Sequence, residues 1–357
     1  MNSLKRTLPL LALLVLAAPA ARAEMTVHVI NVGQAESILL QFSNDLVLID
    51  AGSELSDTDD YAADLLDYLG SFFEQNPQYR LADGRGRFHS VIVSHPHIDH
   101  TRNLLRVLDK QKFKVRNLVY GGGQGGSGWG ELKDAIALAK QTPRISRRVI
   151  NAEYIGAEGY QPAWLANLKT SSDADLRFLS GYRGGACEDE NNDSLTLRVE
   201  HKGVKLLFTG DAETEDQWCV PQVGFLLDRF EDTLLDVDVY KVGHHASRNG
   251  TSRTLMEAMT PQVALISAGH HSTRTADPDS SPHHAFFYGH PRELIVKRVE
   301  ALTSLNRAPV TVYTMEGQEQ LRENRRVEKA VYCTCWDGHI KLVVKDDGRL
   351  AVNGADL

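Results

Sequence analysis

Four apolar runs in this chain each stop at a residue able to bind a metal ion, and that recurrence constrains the fold more than any other feature. "VIVSHPHIDH" ends on His95, His97, Asp99 and His100. "LVLID" stops at Asp50, "VKLLFTGD" at Asp211, and "VDVYKVGHH" at His244 and His245. Short runs of this kind, rich in Val, Ile and Leu, read as buried strands. Strand ends on one edge of a sheet converge in space, which is where α/β proteins assemble their sites. The residues at these four ends are therefore expected at one centre.

The segments between them alternate in type. "MTVHVINVGQAESILLQF" and "DLVLIDAG" predict two strands joined at "SND". "DTDDYAADLLDYLGSFFEQ" has helical periodicity with Asp at its start. "HSVIVSH" reads as a strand, "TRNLLRVLDK" as a helix and "VRNLVYGG" as a strand running into the glycine-rich "GGGQGGSGWG". "ELKDAIALAKQ" is helical, "DLRFLSG" a strand, and "DSLTLRVEHKGVKLLFTGD" a hairpin turning at "HKG". "TEDQWCVPQVGFLLDRF" reads as broadly helical with an interruption at Pro221, and the strands "LDVDVYKVGHH" and "QVALISAG" flank the helix "TSRTLMEAM". The pattern predicts an α/β protein with partly antiparallel sheets. No repeat or composition break divides it, so one domain is expected over 24–357, with an insertion at about 53–88.

The first residues carry a different message. "MNSLKR", the apolar "TLPLLALLVLAAPA" and then "ARA" predict a signal peptide over 1–23, cleaved before Glu24. The apolar run is short for a membrane span. An exported protein, periplasmic or secreted, without stable membrane insertion after cleavage is expected. Losing Lys5, Arg6 and Arg22 takes the net charge from −8 to −11. Such a chain is a poor nonspecific nucleic-acid binder by bulk electrostatics. A metal can still recruit phosphate locally, so a phosphoester or other anionic small molecule or polymer, nucleic acid included, stays open as substrate. The cysteines are Cys187, Cys219, Cys333 and Cys335. In an oxidising compartment they predict disulfides. Cys333 and Cys335 stand two apart in a strand-like run, where a direct bond strains the geometry. A link from that segment to Cys187 or Cys219 is expected, with a zinc–thiolate site as the lesser alternative.

Histidine and aspartate together suit zinc or a neighbouring first-row ion. "SHPHIDH" resembles the HxHxDH signature of the metallo-β-lactamase fold superfamily. "VHVINVGQAESILL", "NNDSLTL", "LLFTGDAE" and "VYKVGHHASRNGTS" narrow the resemblance. Together they are similar to the hydrolase domain of the ComEC-type DNA-uptake channels and its stand-alone secreted relatives, from about Val27 onward.

That resemblance implies a four-layer αβ/βα sandwich with two divalent metal ions along one edge, zinc first and manganese as its rival. It assigns His95 and His97 to the first metal, Asp99 and His100 to the second, and Asp211 to both. One of His244 and His245 adds a ligand to the second metal, with His244 favoured as the first residue beyond the strand. Asp50 orients a ligand. Many relatives add a further histidine between "HxHxDH" and "TGD"; here His201, in an expected hairpin turn, is the sole histidine there. Asn191 and Asn192 of the "NNDS" segment are the stand-ins, and an oxygen donor there favours manganese. Where relatives often read "DHxGG" this chain has Arg102 and Asn103, expected to crowd the entrance or contact an anionic substrate.

Two close metals generate a hydroxide nucleophile at neutral pH and polarise an ester oxygen. The implied activity is a metal-dependent phosphodiesterase, with a nuclease within that class. Asp99, Asp211 and His290 of "YGHPREL" are the candidate catalytic residues. The competing readings are hydrolysis of a phosphocholine ester, a lactone or a β-lactam, and a catalytically silent binding protein.

Overall fold

The computed structural model describes residues 24–53, 63–187, 189–271 and 285–357. The expected signal peptide lies outside these residues, as do His283 and His284. In the first sheet, β1 (Met25–Val29), β2 (Ile38–Gln41), β3 (Leu46–Ile49), β4 (Gly86–Ile92), β5 (Phe113–Tyr120) and β6 (Ser146–Val149) lie side by side in chain order. The second sheet uses β7 (Ala174–Phe178), β8 (Leu197–His201), β9 (Val204–Phe208), β10 (Val239–Lys241) and β11 (Val263–Ile266). A ribbon of β12 (Asn306–Gly317) and β13 (Gln320–Lys329) precedes β14 (Val331–Cys333), which joins the second sheet beside β11. The chain then returns to the first sheet, where β15 (Ile340–Val344) pairs with β1 and β16 (Leu350–Val352) and β17 (Ala355–Asp356) follow.

Alternation along the strands explains the layers. Ile38, Leu40, Val47 and Ile49 enter the apolar cluster between the sheets, which also holds Val199, Leu206, Tyr240 and Ile266 of the second sheet. Leu39, Leu46 and Leu48 enter a separate cluster on the outer face. Successive strand residues face opposite sides, so a strand apolar at every position must be covered on both. The outer face of the first sheet is covered by α1 (Leu65–Gln75) and, beyond α2 (Ile98–Thr101), by α3 (Leu104–Val107) and α4 (Trp129–Gln141). The second sheet packs with α5 (Ala163–Ser172), α6 (Gln222–Phe230), α7 (Arg253–Met259) and, after α8 (Ala285–Tyr288), α9 (Glu293–Leu302). This is a four-layer αβ/βα sandwich. Each fully buried Leu or Ile in it contributes about 1.5–3 kcal/mol.

Several local expectations change. Met25–Phe42 is two strands, because the chain turns back at Ile30–Ser37, with Ile30 N donating to Ser37 O at 3.0 Å. "TRNLLRVLDK" holds only the end of α2 and the short α3, since the Asn103 N–H bonds Ala51 O at 2.7 Å rather than continuing the helix. Residues 214–220 are not helical; α6 begins only after Pro221, which occupies its N-cap. The polar edge strand β6, helix α5 and the β12–β13 ribbon carry no strong periodic signal. The insertion after β3 brings in α1, capped by Asp64, whose carboxylate accepts from Leu66 N at 2.7 Å, and buries Leu65, Leu69, Phe72 and Phe73.

The disulfide expectation is corrected. Cys187 pairs with Cys219, Cα atoms 5.0 Å apart, and Cys333 pairs with Cys335, 5.1 Å apart. The chain leaves β14 at Cys333 and turns into α10 (Thr334–Asp337), so the two are not alternate residues of one extended strand. Both separations suit a disulfide, and no cysteine is left for a zinc–thiolate site. No described helix is long and apolar enough to cross a membrane.

Candidate metal centre

Strands β3 and β4 are parallel neighbours in one sheet, and β9 and β10 in the other. Their C-terminal ends release Asp50, Ser94–His100, Asp211 and His244–His245 at one edge of the sandwich. The backbone there is packed tightly. A Cβ on Gly52 would meet Asp99 O at 1.7 Å, and one on Gly128 would meet Thr101 Oγ1 at 2.2 Å. The glycine-rich loop thus buttresses the histidine turn, with Gly128 N donating to Pro96 O at 2.9 Å and Ser127 Oγ accepting from Ile98 N at 3.1 Å.

Asp99, His100, Asp211 and His245 each offer one donor atom, all within 4.8 Å of one another. Asp211 Oδ2 lies 3.2 Å from His100 Nε2 and 3.4 Å from His245 Nε2, and Asp99 Oδ2 lies 3.2 Å from His245 Nε2. His95 Nε2 is 4.0 Å from Asp211 Oδ2, its ring centroid 4.2 Å from that of His100 and 4.7 Å from that of His97.

The donor set fits a metal centre. His95 Nε2, His100 Nε2, His245 Nε2 and Asp211 Oδ1 are buried without a hydrogen-bond partner. Buried polar atoms are rarely left unpaired, and here the orphans gather on one spot. The opposite ring nitrogens are engaged. His100 Nδ1 lies 2.7 Å from Asp50 Oδ2, His245 Nδ1 2.9 Å from Ser267 O, and His95 Nδ1 3.0 Å from Ser94 Oγ. A carboxylate or carbonyl can only accept, so Nδ1 of His100 and His245 carries the proton and Nε2 keeps its lone pair for a cation. Asp50 is fully buried and also accepts from Ser94 N and Ser94 Oγ, both at 2.7 Å.

The electrostatics agree. Burial opposes charge on His245, yet the Asp211 and Asp99 carboxylates hold its pKa up at about 10. Burial is likewise outweighed at His100, held well above the usual range by Asp211, Asp50 and Asp99. Burial pushes the Asp211 carboxyl up, but His245, His100 and His244 hold it well below its ordinary value. These carboxylates draw positive charge to the Nε2 positions, and a divalent cation bound there would supply it.

The lean towards His244 does not match this geometry. His245 joins the four-residue group, while His244 Nε2 stands 4.0 Å from Asp211 Oδ2 and its Nδ1 2.9 Å from Glu213 Oε1. Of the two asparagines, Asn191 lines the central pocket, donates to Glu213 Oε1 at 3.0 Å and leaves its Oδ1 buried without a partner. Asn192 is held elsewhere, by Glu215 O, Asp216 Oδ2 and Gln222 N. A carboxylate that the sequence reading passed over stands near the first position: Glu190 Oε2 lies 3.8 Å from His97 Nε2, and His97, Asp189 and Glu190 form a second possible donor group. His201 ends β8, away from the centre, buried against Asp173 O at 2.9 Å. Asn103 does not face the entrance; it is buried and donates to Gly52 O at 3.2 Å. The His270 and His271 rings are tilted against each other with centroids 4.1 Å apart, and His271 stacks on Tyr313 at 3.9 Å.

A pocket of about 280 Å³ opens onto the cluster, lined by Gln34, His97, Asp99, Asn191, Asp211, His244, His245, Tyr288 and His290 among others. Gln34 Oε1 accepts from Gly269 N at 3.2 Å, so its amide NH2 faces His290 Nδ1, 3.0 Å away. His290 Nδ1 therefore accepts, and Nε2 carries the proton. Burial and the neighbouring His244 and His245 drive the His290 pKa well down. Burial raises the Tyr288 hydroxyl to about 12, so it stays protonated. Behind the centre, Lys241 of β10 forms a fully buried ion pair with Glu36 of the β1–β2 loop. The Glu36 backbone donates to Asp99 O at 3.1 Å and accepts from Gly52 N at 3.0 Å, so the pair ties the two sheets together beside the donors.

Comparison with known proteins places this arrangement. The chain is 26% identical over 254 residues to ComE operon protein 3 of Bacillus subtilis, covering 70% of this chain and 29% of that protein. It is 30% identical over 113 residues to competence protein ComA of Neisseria gonorrhoeae, covering 32% and 13%. It is 36% identical over 80 residues to recombination protein 2 of Haemophilus influenzae, covering 22% and 9%. The chain thus spans less than a third of the length of these curated relatives. Among solved structures, the metallo-beta-lactamase fold protein YhfI of Bacillus subtilis aligns with a TM-score of 0.43 at 12% identity, covering 79% of this chain and 94% of that one. The metallo hydrolase Igni18 of Ignicoccus hospitalis aligns with 0.41 at 14%, covering 85% and 98%. Residues 30–270 match the profile of the metallo-beta-lactamase superfamily, and the chain belongs to that superfamily of metallo-hydrolases.

Proposed function

We propose that this protein is an exported, divalent-metal-dependent phosphodiesterase that cuts nucleic acid. The observation that carries the reading is the convergence of orphaned Nε2 atoms and Asp211 Oδ1 at the floor of a pocket whose wall holds neutral proton donors. The relatives named for competence and recombination support a nucleic-acid phosphodiester as substrate. Export is supported by two disulfides, which persist in oxidising compartments.

His95, His97, Asp211 and an oxygen from Glu190 or Asn191 would hold one ion; Asp99, His100, Asp211 and His245 would hold the other. Bound there, the ions would supply an activated water and polarise a phosphoryl oxygen. The remaining work falls to the chain. Asp50 and Ser267 O fix the two ring orientations. Gln34 keeps the His290 proton on Nε2, where the neutral ring can donate a hydrogen bond to an ester or phosphoryl oxygen. Tyr288 stacks on His290 at a centroid distance of 5.9 Å and presents a second neutral donor.

One observation favours a second reading. A cleft of about 550 Å³ beside His97 is walled by Asp189, Glu190, Glu213, Glu215 and Asp216. An ester with a cationic group, such as a phosphocholine ester, would complement it. Purified protein loaded with zinc or manganese decides between them: hydrolysis of bis-p-nitrophenyl phosphate and plasmid DNA supports the nuclease reading. Turnover of p-nitrophenylphosphorylcholine alone would replace it, and turnover of nitrocefin alone would reject both.

A further inference from the structure

The chain is acidic overall, yet four of its cations gather in one cleft. Arg87 on β4, Lys114 and Arg116 on β5, and Arg144 beyond α4 line a depression of about 350 Å³. Lys114, Arg116 and Arg144 are exposed. Among the described residues, none of the three has a carboxylate within ion-pair distance or an acceptor within hydrogen-bond distance. Arg87 reaches only backbone oxygens, Asn44 O at 3.2 Å and Gln78 O at 3.4 Å. The one acid in the lining, Asp45, is engaged by Ser171 Oγ at 2.5 Å and Ser172 Oγ at 3.0 Å. On other surfaces Arg85, Arg253, Arg326 and Arg349 each pair with an acid at 2.5–2.7 Å. Four cations against the single carboxylate of Asp45 leave the lining with net positive charge, and like charges in excess repel one another and focus a positive potential in a concave, low-dielectric wall. A bound anion relieves both.

We propose that this cleft is a binding site for the phosphate backbone of a single-stranded nucleic acid, distinct from the metal centre. The inference rests on the nuclease reading for the identity of its ligand. Position supports a polymer. The cleft lies at the start of β4, around Arg87 and Phe88, whereas Ser94 and His95 follow the end of the same strand. Seven residues of extended chain separate them by roughly 23 Å, a distance that a small ester cannot bridge and a strand can. Arginine and lysine together neutralise successive phosphates without reading bases. The cleft would hold the strand while its scissile bond lies at the other end of the sheet.

The test uses the full chain with its metals and a fluorescein-labelled phosphorothioate oligothymidylate, which resists cleavage. K114A/R116A/R144A should weaken binding about tenfold or more and flatten the dependence of log K on log salt by about 2, since each phosphate contact on a single strand contributes about 0.7. Its hydrolysis of bis-p-nitrophenyl phosphate should match wild type, because that substrate reaches only the metal centre. R253A/R326A/R349A removes the same charge from other surfaces and should leave binding within about twofold of wild type. Equal weakening by both triples would reduce the effect to bulk charge and overturn the proposal, as would unchanged affinity in the cleft triple. Loss of adhesion to phosphatidylglycerol vesicles at unchanged oligothymidylate affinity would assign the cleft to a membrane surface and overturn it as well. Failure of wild type to hydrolyse bis-p-nitrophenyl phosphate would instead count against the phosphodiesterase reading, and the binding comparison would still stand.

Discussion

Asp50 Oδ2 lies 2.7 Å from His100 Nδ1, and this contact decides which nitrogen of His100 faces Asp211. Asp50 is fully buried and its oxygens also hold Ser94, so the ring has one orientation. D50N keeps the shape, and Asn tolerates the left-handed backbone at φ 57°. It removes the charge that favours the Nδ1–H tautomer. Metal affinity at the second position should fall about 10–100-fold, read by competitive chelator titration, with the far-ultraviolet circular dichroism unchanged. Undiminished affinity would deny Asp50 its orienting role.

The two histidines after β10 should separate cleanly. His245 is buried with its Nε2 among the carboxylates, while His244 turns its Nδ1 towards Glu213. H245A should lower metal content at the second position severely, and H244A should leave it near wild type. Plasma mass spectrometry of the two variants makes the comparison. The reverse result would return the ligand role to His244.

Glu190 is expected to stand where many relatives place a further histidine. E190Q should weaken the first position about tenfold or more by removing a charged oxygen near His97, and spare the second. Isothermal titration of metal-free protein with manganese resolves the two positions. An unchanged isotherm would pass the role to Asn191.

These contrasts show what the sequence carries. His95, His97, Asp99 and His100 lie in one local motif, and Asp50 and Asp211 are marked by the apolar strands they end, so both were legible. The choice of His245 over His244 was not. It turns on backbone rotation, with both residues at positive φ, and no periodicity records that. Glu190 meets His97 only through the docking of two loops. Lys241 hides inside the apolar run "VDVYKVG", where its buried partner Glu36 lies 205 residues away. The layers could be read from strands apolar on both faces, whereas the polar edge strand β6 and the β12–β13 ribbon lack that signal.

A pH dependence should arise far from the centre. His28 on β1 is buried between Tyr68 Oη at 2.8 Å and Gln41 Oε1 at 3.0 Å, and burial lowers its pKa to about 4. The folded state therefore resists a proton that the unfolded chain accepts below its ordinary value of 6.5. Stability is complete above that value and declines as pH falls from there towards 4, by about 3 kcal/mol in total from this residue. H28Q should be less stable at neutral pH but lose less between pH 7 and 4, as measured by urea unfolding at each pH. Parallel losses in the two proteins would contradict the assignment.

Asp211 would serve both metal positions, since its carboxylate faces His95, His100 and His245. Plasma mass spectrometry of repleted wild type and D211N, each freed of loosely held ions by gel filtration, tests it most directly. Wild type should hold about two ions per chain, as is usual for the fold, and D211N should lose metal at both positions, with hydrolysis of bis-p-nitrophenyl phosphate falling in step. Full metal content and full hydrolysis in D211N would contradict it.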